Sequence, residues 1–185
     1  MGIKKDLPTI PSLPLGTAEI SMWDFANAYT TLASNGYKKD LGVILKVTDM
    51  HGNILYEKKN NSTQVLNSNY TFILNEMLTA TYNSAFIDYN TPTIISLGSK
   101  ISRKYAMKTG SSGTDCYMIG YNPDILMLVW NGYDDNRQMN PVDGNISKNI
   151  WVNTVEEYLK DKEARWYDVP ENVVGVPLDA ITGNQ

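Results

Sequence analysis

The chain has 185 residues, 42% of them hydrophobic and 19% charged, which is typical of one globular domain and too apolar for a disordered segment. Its 16 basic residues stand against 20 acidic ones, and the net charge of -4 argues against the basic surface that nucleic-acid binding requires. A single cysteine, Cys116, and a single histidine, His51, exclude an internal disulfide and a His- or Cys-rich metal site. The longest apolar run, residues 125–130, is far below the ~20 residues of a membrane span, so no membrane segment is predicted in this chain.

A helix and a hairpin are predicted in the first third of the chain, after a proline-rich lead-in. Ser21, with Asp24 three residues later, is typical of a helix start, and Asn35-Gly36 is typical of a left-handed helix end. Two β-rich runs within residues 42–57 flank a Gly-Asn turn and indicate a hairpin. We interpret His51, at the tip of this turn, as a solvated turn residue without a catalytic role.

Two further helices are predicted from apolar periodicity. One begins at Asn67 or Ser68, and the other runs from about residue 145 to 161. The predicted buried stripes are Tyr70, Ile73, Leu74, Met77 and Leu78 in the first of these helices, and Trp151, Val155, Tyr158 and Leu159 in the second. Glu156 has the spacing for an ion pair with Lys160.

Three strands are predicted at about residues 104–110, 115–121 and 125–133, after a polar loop over 80–100. Because their connections are short, they must be antiparallel neighbours. The apolar run 125–130 lacks polar alternation, which predicts a strand buried on both faces. The predicted fold class is therefore α/β, an antiparallel sheet flanked by helices.

The candidate site is the tripeptide Lys108-Thr109-Gly110 with the following Ser111, at the end of the first of these strands. A strand edge that ends in glycine can pair with an extended peptide, and the missing Cβ of Gly110 lets a substrate approach. Strand alternation puts the hydroxyls of Thr109 and Ser111 on one face, where they can bind a terminal carboxylate. Lys108 adds a positive charge, and the backbone N–H of Ser111 is suited to an oxyanion hole. Taken alone, the tripeptide is equally compatible with an ordinary edge strand that ends at a glycine turn and has no binding role.

The K-T-G motif resembles the third motif of penicillin-binding proteins and serine β-lactamases. Several other segments resemble, in the right order, those of the class A (bifunctional) penicillin-binding proteins. They are LGT at 15–17, ASNG at 33–36, DCYMIGYNP at 115–123 and VWNGYD at 129–134. The last residues of the chain are also similar to the segment that follows the transpeptidase domain in that family, so the resemblance covers nearly the whole chain.

The resemblance implies the C-terminal part of a transpeptidase domain over residues 1–161, starting after the S-x-N motif, and an extended tail over 162–185. The implied fold is a partial penicillin-binding transpeptidase (serine β-lactamase-like) fold, and the implied activity is peptidoglycan cross-linking in cell-wall biosynthesis. Implied ligands are stem peptides ending in D-Ala-D-Ala and β-lactam antibiotics. The family also implies the missing N-terminal part of the same domain as a partner, no metal or other cofactor, and a location on the outer face of the cell membrane.

In this resemblance Lys108 and Ser111 take catalytic roles, and Thr109, Gly110 and Ser111 bind substrate. The sequence departs from the family pattern because no serine has a lysine three residues later, so the S-x-x-K nucleophile is absent. The one S-x-N, at Ser147, follows K-T-G instead of preceding it, and we interpret that serine as a helix N-cap. The chain alone is therefore expected to be inactive.

Two other functions remain open. A non-catalytic module that binds a peptide or a partner domain would also lack a nucleophile. A β-lactamase or β-lactam-sensor fragment fits less well, because the LGT and GYD segments favour the class A synthases.

Overall fold

The computed structural model describes residues 1–179 and 182–184, which form two compact units, Met1–Asn67 and Ser68–Gln185. Each unit combines helices with antiparallel strands, so the predicted α/β class is confirmed. The predicted boundary between a domain of residues 1–161 and a tail of 162–185 stays a prediction.

Helix α1 of the first unit spans Met22–Ala33 and is capped as the sequence predicts. The Ser21 hydroxyl accepts the backbone N–H of Asp24 at 3.0 Å and donates to the carboxylate of Asp24 at 2.9 Å. This reciprocal contact satisfies one of the N–H groups that every helix start leaves unpaired. The chain leaves the helix through Asn35 and Gly36, whose φ angles of 48° and 101° are both left-handed.

The predicted hairpin is present but shorter than expected, with β2 at Lys46–Thr48 and β3 at Ile54–Glu57. The carboxylate of Asp49 accepts the backbone N–H groups of His51 and Asn53 at 2.8 and 2.9 Å, and these bonds fix the turn. His51 is exposed there, in agreement with a turn residue.

The first unit also has a strand pair that the sequence analysis missed. Strand β1, Tyr37–Lys39, pairs antiparallel with β4, Ser62–Gln64. Both strands are only three residues long and mostly polar, and more than twenty residues separate them, so neither periodicity nor a short turn marks them.

The second unit is built on a three-stranded antiparallel sheet in the order β5-β6-β7, as predicted. The strands are β5 at Ala106–Ser111, β6 at Asp115–Tyr121 and β7 at Leu126–Gly132. The expected burial of β7 on both faces is wrong: Val129 is buried, but its neighbours are only half-buried. The reason is that β7 is an edge strand of the described sheet.

Helix α3, Ile146–Leu159, follows a 3-10 turn at Pro141–Asn145 and packs on one face of this sheet. Trp151, Val155 and Leu159 are fully buried, as predicted. The core that they form with the sheet also contains Ile94, Leu97, Tyr105, Met107, Met118, Val129 and Val152. Ile94 and Leu97 belong to the predicted polar loop, so part of that loop is core.

Tyr158 does not belong to the buried stripe of α3. It is exposed, and its ring lies 3.7 Å from the ammonium of Lys162. The expected ion pair of Glu156 with Lys160 is also wrong, because Lys160 pairs with Glu157 instead.

Glu156 faces inward and ties α3 to the start of β5. It accepts the hydroxyl of Tyr105 at 2.7 Å and the backbone N–H of Ser102 at 3.1 Å. The ring of Tyr105 packs edge-on against Trp151, with 5.1 Å between the ring centroids. The end of β5 opposite the candidate site is thereby anchored in the core.

Helix α2, Ser68–Leu78, turns a different face to the sheet from the predicted one. Its buried residues are Thr71, Phe72 and Asn75, and Asn75 accepts the hydroxyl of Tyr121 at 2.8 Å. Four residues of the predicted apolar stripe are exposed, namely Tyr70, Ile73, Leu74 and Met77. Local periodicity locates an apolar stripe but does not determine what covers it.

We expect the variant Gly120→Ala to destabilise the second unit severely. A Cβ at Gly120 would lie 2.4 Å from the ring of Trp151, which is fully buried and donates its indole N–H to the Met127 carbonyl at 3.0 Å. Since the ring cannot move without leaving the core, the overpacking should cost about 3 kcal/mol, or roughly 10 °C in melting temperature.

A thermal melt followed by circular dichroism measures this loss, with Gly113→Ala as the matched control. A Cβ at Gly113 meets no atom of the described residues within 4 Å. Equal melting temperatures for the two variants would contradict the described packing of α3 on β6.

Candidate active site

The four predicted site residues all lie on β5. Within the described part of the chain β5 pairs with β6 alone, so its other edge is open. Lys108, Gly110 and Ser111 are exposed and Thr109 is half-buried. The structure therefore places the K-T-G sequence on an accessible strand edge.

The hydrogen bonding of the hairpin determines which backbone groups face this edge. The N–H of Ser112 donates to the carbonyl of Asp115 at 2.8 Å, which makes these two residues a hydrogen-bonded pair. Because bonded and non-bonded pairs alternate along an antiparallel ladder, Gly110 bonds to β6, while Thr109 and Ser111 direct their N–H and C=O groups to the open edge.

The ammonium of Lys108 lies at the same edge, since it donates to the carbonyl of Thr109 at 3.0 Å. A positive charge, two N–H groups and a carbonyl are thus available side by side. Such an edge can pair with an extended peptide and can hold a negatively charged group.

The side chains of these residues divide between the two faces of the sheet. Thr109 lies opposite Met118, which is buried under α3, so Thr109 and Ser111 share the face that α3 covers. Lys108 and Gly110 lie on the opposite face, which α2 covers only towards Tyr121. The register thus places the side chains of Thr109 and Ser111 on one face of the sheet, as the strand alternation predicted.

A hydrogen-bond network that the sequence analysis missed holds the turn after Ser111. The carboxylate of Asp115 accepts the indole N–H of Trp130 at 2.8 Å and the hydroxyls of Thr114 at 2.9 Å and Ser112 at 3.2 Å. These bonds, that of Trp130 first, hold the pKa of Asp115 below its usual value. Ser112 is thus a turn residue. In the sequence, the feature that could have predicted this network is the Asp that follows Ser112 by three residues.

Neither conformation nor packing within the chain requires a glycine at position 110. Its φ lies outside the left-handed region, and of the described residues a Cβ there would meet only Tyr117, at ordinary contact distances of 3.6 and 3.8 Å. The absence of a side chain leaves open space on the Lys108 face of the strand.

The other residues singled out from the sequence lie away from this edge. Ser147 is not an N-cap: it lies inside α3, its N–H donates to the side chain of Asn131 at 3.2 Å, and its buried hydroxyl has no partner among the described residues. Lys148 donates to the Thr93 carbonyl at 3.0 Å. Cys116 is half-buried, and burial raises the pKa of its thiol.

Comparison with known proteins identifies homologues of the chain. No protein-family profile matches the chain. The sequence is 35% identical over 183 residues to penicillin-binding protein 2D of Bacillus subtilis, an alignment that covers 98% of this chain and 26% of that protein. The chain is homologous to the penicillin-binding proteins. Penicillin-binding protein 1A of Neisseria meningitidis is 26% identical over 178 residues, which cover 91% of this chain and 21% of that protein.

The fold is also found in a solved penicillin-binding protein. The crystal structure of penicillin-binding protein 1A from Haemophilus influenzae matches 93% of this chain with a TM-score of 0.80, at 22% sequence identity. The matched part is 31% of that chain. The chain therefore spans about a fifth to a third of the proteins that it matches, and it shares the fold of the solved one over nearly its whole length.

Residues 1–179 and 182–184 contain neither a metal-binding cluster nor a membrane-spanning helix. No group of three or more His, Cys, Asp or Glu side chains is arranged to hold a metal ion there. Nor does that part of the chain contain a helix with the length and hydropathy to cross a membrane.

Proposed function

We propose that this chain supplies the K-T-G side of the active site of a serine D,D-transpeptidase that cross-links peptidoglycan. The observation that supports this proposal best is the open edge of β5, where the Lys108 ammonium lies beside outward-facing N–H groups of Thr109 and Ser111. Homology to penicillin-binding proteins supplies the reaction class. As a part of such a protein, the chain would lie on the outer face of the cell membrane.

In this function the stem peptide that ends in D-Ala-D-Ala lies extended along β5. Lys108 and the hydroxyls of Thr109 and Ser111 bind its terminal carboxylate. The N–H of Ser111 donates to the carbonyl oxygen that becomes negatively charged during the reaction. Gly110 leaves room for the peptide.

The nucleophile in this proposal is a serine of an S-x-x-K motif outside residues 1–185. Its hydroxyl attacks the carbonyl of the penultimate D-Ala, the amide C–N bond breaks, and the terminal D-Ala leaves with the proton on its amine. An amine of a second stem peptide then attacks the serine ester, which forms the cross-link and restores the hydroxyl. A β-lactam opens its ring on the same serine and loses no leaving group, so the ester persists.

A second candidate is a non-catalytic module that binds a peptide or partner at the same edge. The observation in its favour is the absence of any serine with a lysine three residues later. The two candidates differ in whether acylation occurs when an S-x-x-K segment is present. We call a protein in which this chain is joined to S-x-x-K and S-x-N segments the complete transpeptidase.

We expect that fluorescent penicillin labels the complete transpeptidase and does not label the 185-residue chain alone. Acylation in this proposal requires the serine of an S-x-x-K motif, and no serine of this chain has a lysine three residues later. Gel fluorescence and intact-mass spectrometry measure the adduct, and heat-denatured protein is the control. A stable penicilloyl adduct on the chain alone would overturn this assignment of the nucleophile, and an unlabelled complete transpeptidase would favour the binding module.

A further inference from the structure

The open space at Gly110 lies beside the side chain of Tyr117. Tyr117 lies directly opposite Gly110 on β6, and a Cβ at Gly110 would be 3.6 Å from its Cβ and 3.8 Å from its ring. Lys108 lies on the same face of the sheet, two residues along β5. We call the space over Gly110, between Lys108 and Tyr117, the Gly110 notch.

On its other side Tyr117 faces strand β7. Trp130 lies directly opposite it on β7, and the indole N–H of Trp130 is held by the carboxylate of Asp115 at 2.8 Å. Directly opposed side chains on one face of an antiparallel pair are in contact range. The register therefore places Tyr117 between Gly110 on β5 and Trp130 on β7.

The hydroxyl of Tyr117 has no hydrogen-bond partner among residues 1–179 and 182–184, although the residue is half-buried. Four other tyrosines of this unit do donate a hydrogen bond from the side chain. They are Tyr82 to the Tyr105 carbonyl, Tyr105 to Glu156, Tyr121 to Asn75 and Tyr133 to Asp143. Burial first, and the charge of Asp115 second, raise the pKa of Tyr117, so its hydroxyl is protonated at neutral pH and can donate.

We propose that Tyr117 contacts the bound substrate: its ring lines the Gly110 notch, and its hydroxyl donates to the carboxylate that Lys108 attracts. Lys108 and Tyr117 approach this carboxylate from one face of the sheet, and Thr109 and Ser111 from the other. Two donors beside a gap without a side chain favour an acceptor-rich anionic group over an apolar one. The inference rests on the proposed transpeptidase function and adds a ligand-binding residue to it.

The test compares Tyr117→Phe with wild type in the complete transpeptidase, using acylation kinetics with benzylpenicillin and with its neutral methyl ester. Tyr117→Phe removes the donor and keeps the ring. For benzylpenicillin we expect the half-saturating concentration to rise roughly tenfold with little change in the limiting acylation rate, since the hydrogen bond is equally strong in the ground and transition states. For the methyl ester, which lacks the carboxylate, we expect the variant and wild type to behave alike.

Two further variants separate a binding role from a structural one. Tyr158→Phe, an exposed tyrosine on α3, is the matched control and should leave both parameters unchanged. In a Gly110→Ala background the added methyl fills the notch, so Tyr117→Phe should have no further effect.

The inference is wrong if Tyr117→Phe leaves the half-saturating concentration of benzylpenicillin unchanged, or raises that of the ester equally. Tyr117→Phe could instead lower only the melting temperature, or only the fraction of protein molecules that can be acylated. Either result would show a structural role for Tyr117 and would also contradict the inference. Failure of the wild type to be acylated at all would instead reject the proposed function on which the inference rests.

Discussion

In the complete transpeptidase, Lys108→Ala should slow acylation by penicillin roughly ten- to a hundredfold while leaving stability almost unchanged. The side chain is exposed and, among the described residues, bonds only to the carbonyl of the neighbouring Thr109, so its removal should cost within about half a kcal/mol of folding free energy. A charge-assisted hydrogen bond to a carboxylate is worth about 1.5–3 kcal/mol, and its loss gives the expected fall in rate.

The pattern across further variants tests the assigned role. Lys108→Arg should not fully restore the rate, because a planar guanidinium does not replace a compact ammonium. Thr109→Val should slow acylation less than Lys108→Ala does, since it removes one neutral hydroxyl and no charge. Lys59→Ala, at an exposed lysine in the other unit, is the control for loss of a positive charge. Acylation of Lys108→Ala at the wild-type rate would mean that K-T-G is only a strand end in this protein.

The second large effect is expected from Gly110→Ala, which should impair acylation without destabilising the fold. A methyl at this position touches Tyr117 at 3.6 Å and requires no backbone change. Folding stability should stay the same or rise by about 0.4–1 kcal/mol, because alanine restricts the unfolded chain. A ligand over Gly110 would meet the methyl, and overpacking of about 1–3 kcal/mol corresponds to a roughly 5- to 150-fold slower reaction.

Gly113→Ala, three residues along the same hairpin, should leave both stability and acylation unchanged, since no atom in the described part of the chain lies within 4 Å of a Cβ there. The measurements are a penicillin acylation time course and a thermal melt for each variant. If Gly110→Ala reacts as fast as Gly113→Ala, no ligand approaches the Lys108 face of β5.

The sheet of the second unit was predictable because its signals are local. The strands at 106–111, 115–121 and 126–132 lie within about two residues of the predicted ends, since Ser-Ser-Gly-Thr and Asn-Pro-Asp connections leave little choice of partner. The caps of α1 were predictable for the same reason. Once this strand was predicted, the position of K-T-G at its end was predicted as well.

What the sequence analysis missed depends on contacts between distant segments. The pairing of β1 with β4 joins short polar strands, and the inward position of Glu156 depends on Tyr105, 51 residues away along the chain. The buried face of α2 was mistaken because Asn75 and Thr71, polar residues, pack inward while Tyr70 and Met77 remain exposed. Tyr117 could be recognised only from the register that places it opposite Gly110.

The most direct test of the central claim is the identity of the serine that penicillin acylates in the complete transpeptidase. Peptide mass spectrometry after labelling locates the penicilloyl group, and the same experiment on Lys108→Ala measures how the labelling rate depends on this chain. We predict one adduct, on the serine of the S-x-x-K motif outside residues 1–185, formed roughly ten- to a hundredfold more slowly in Lys108→Ala. An adduct on a serine within this chain, such as Ser111 or Ser112, or a labelling rate that does not depend on Lys108, would contradict the account.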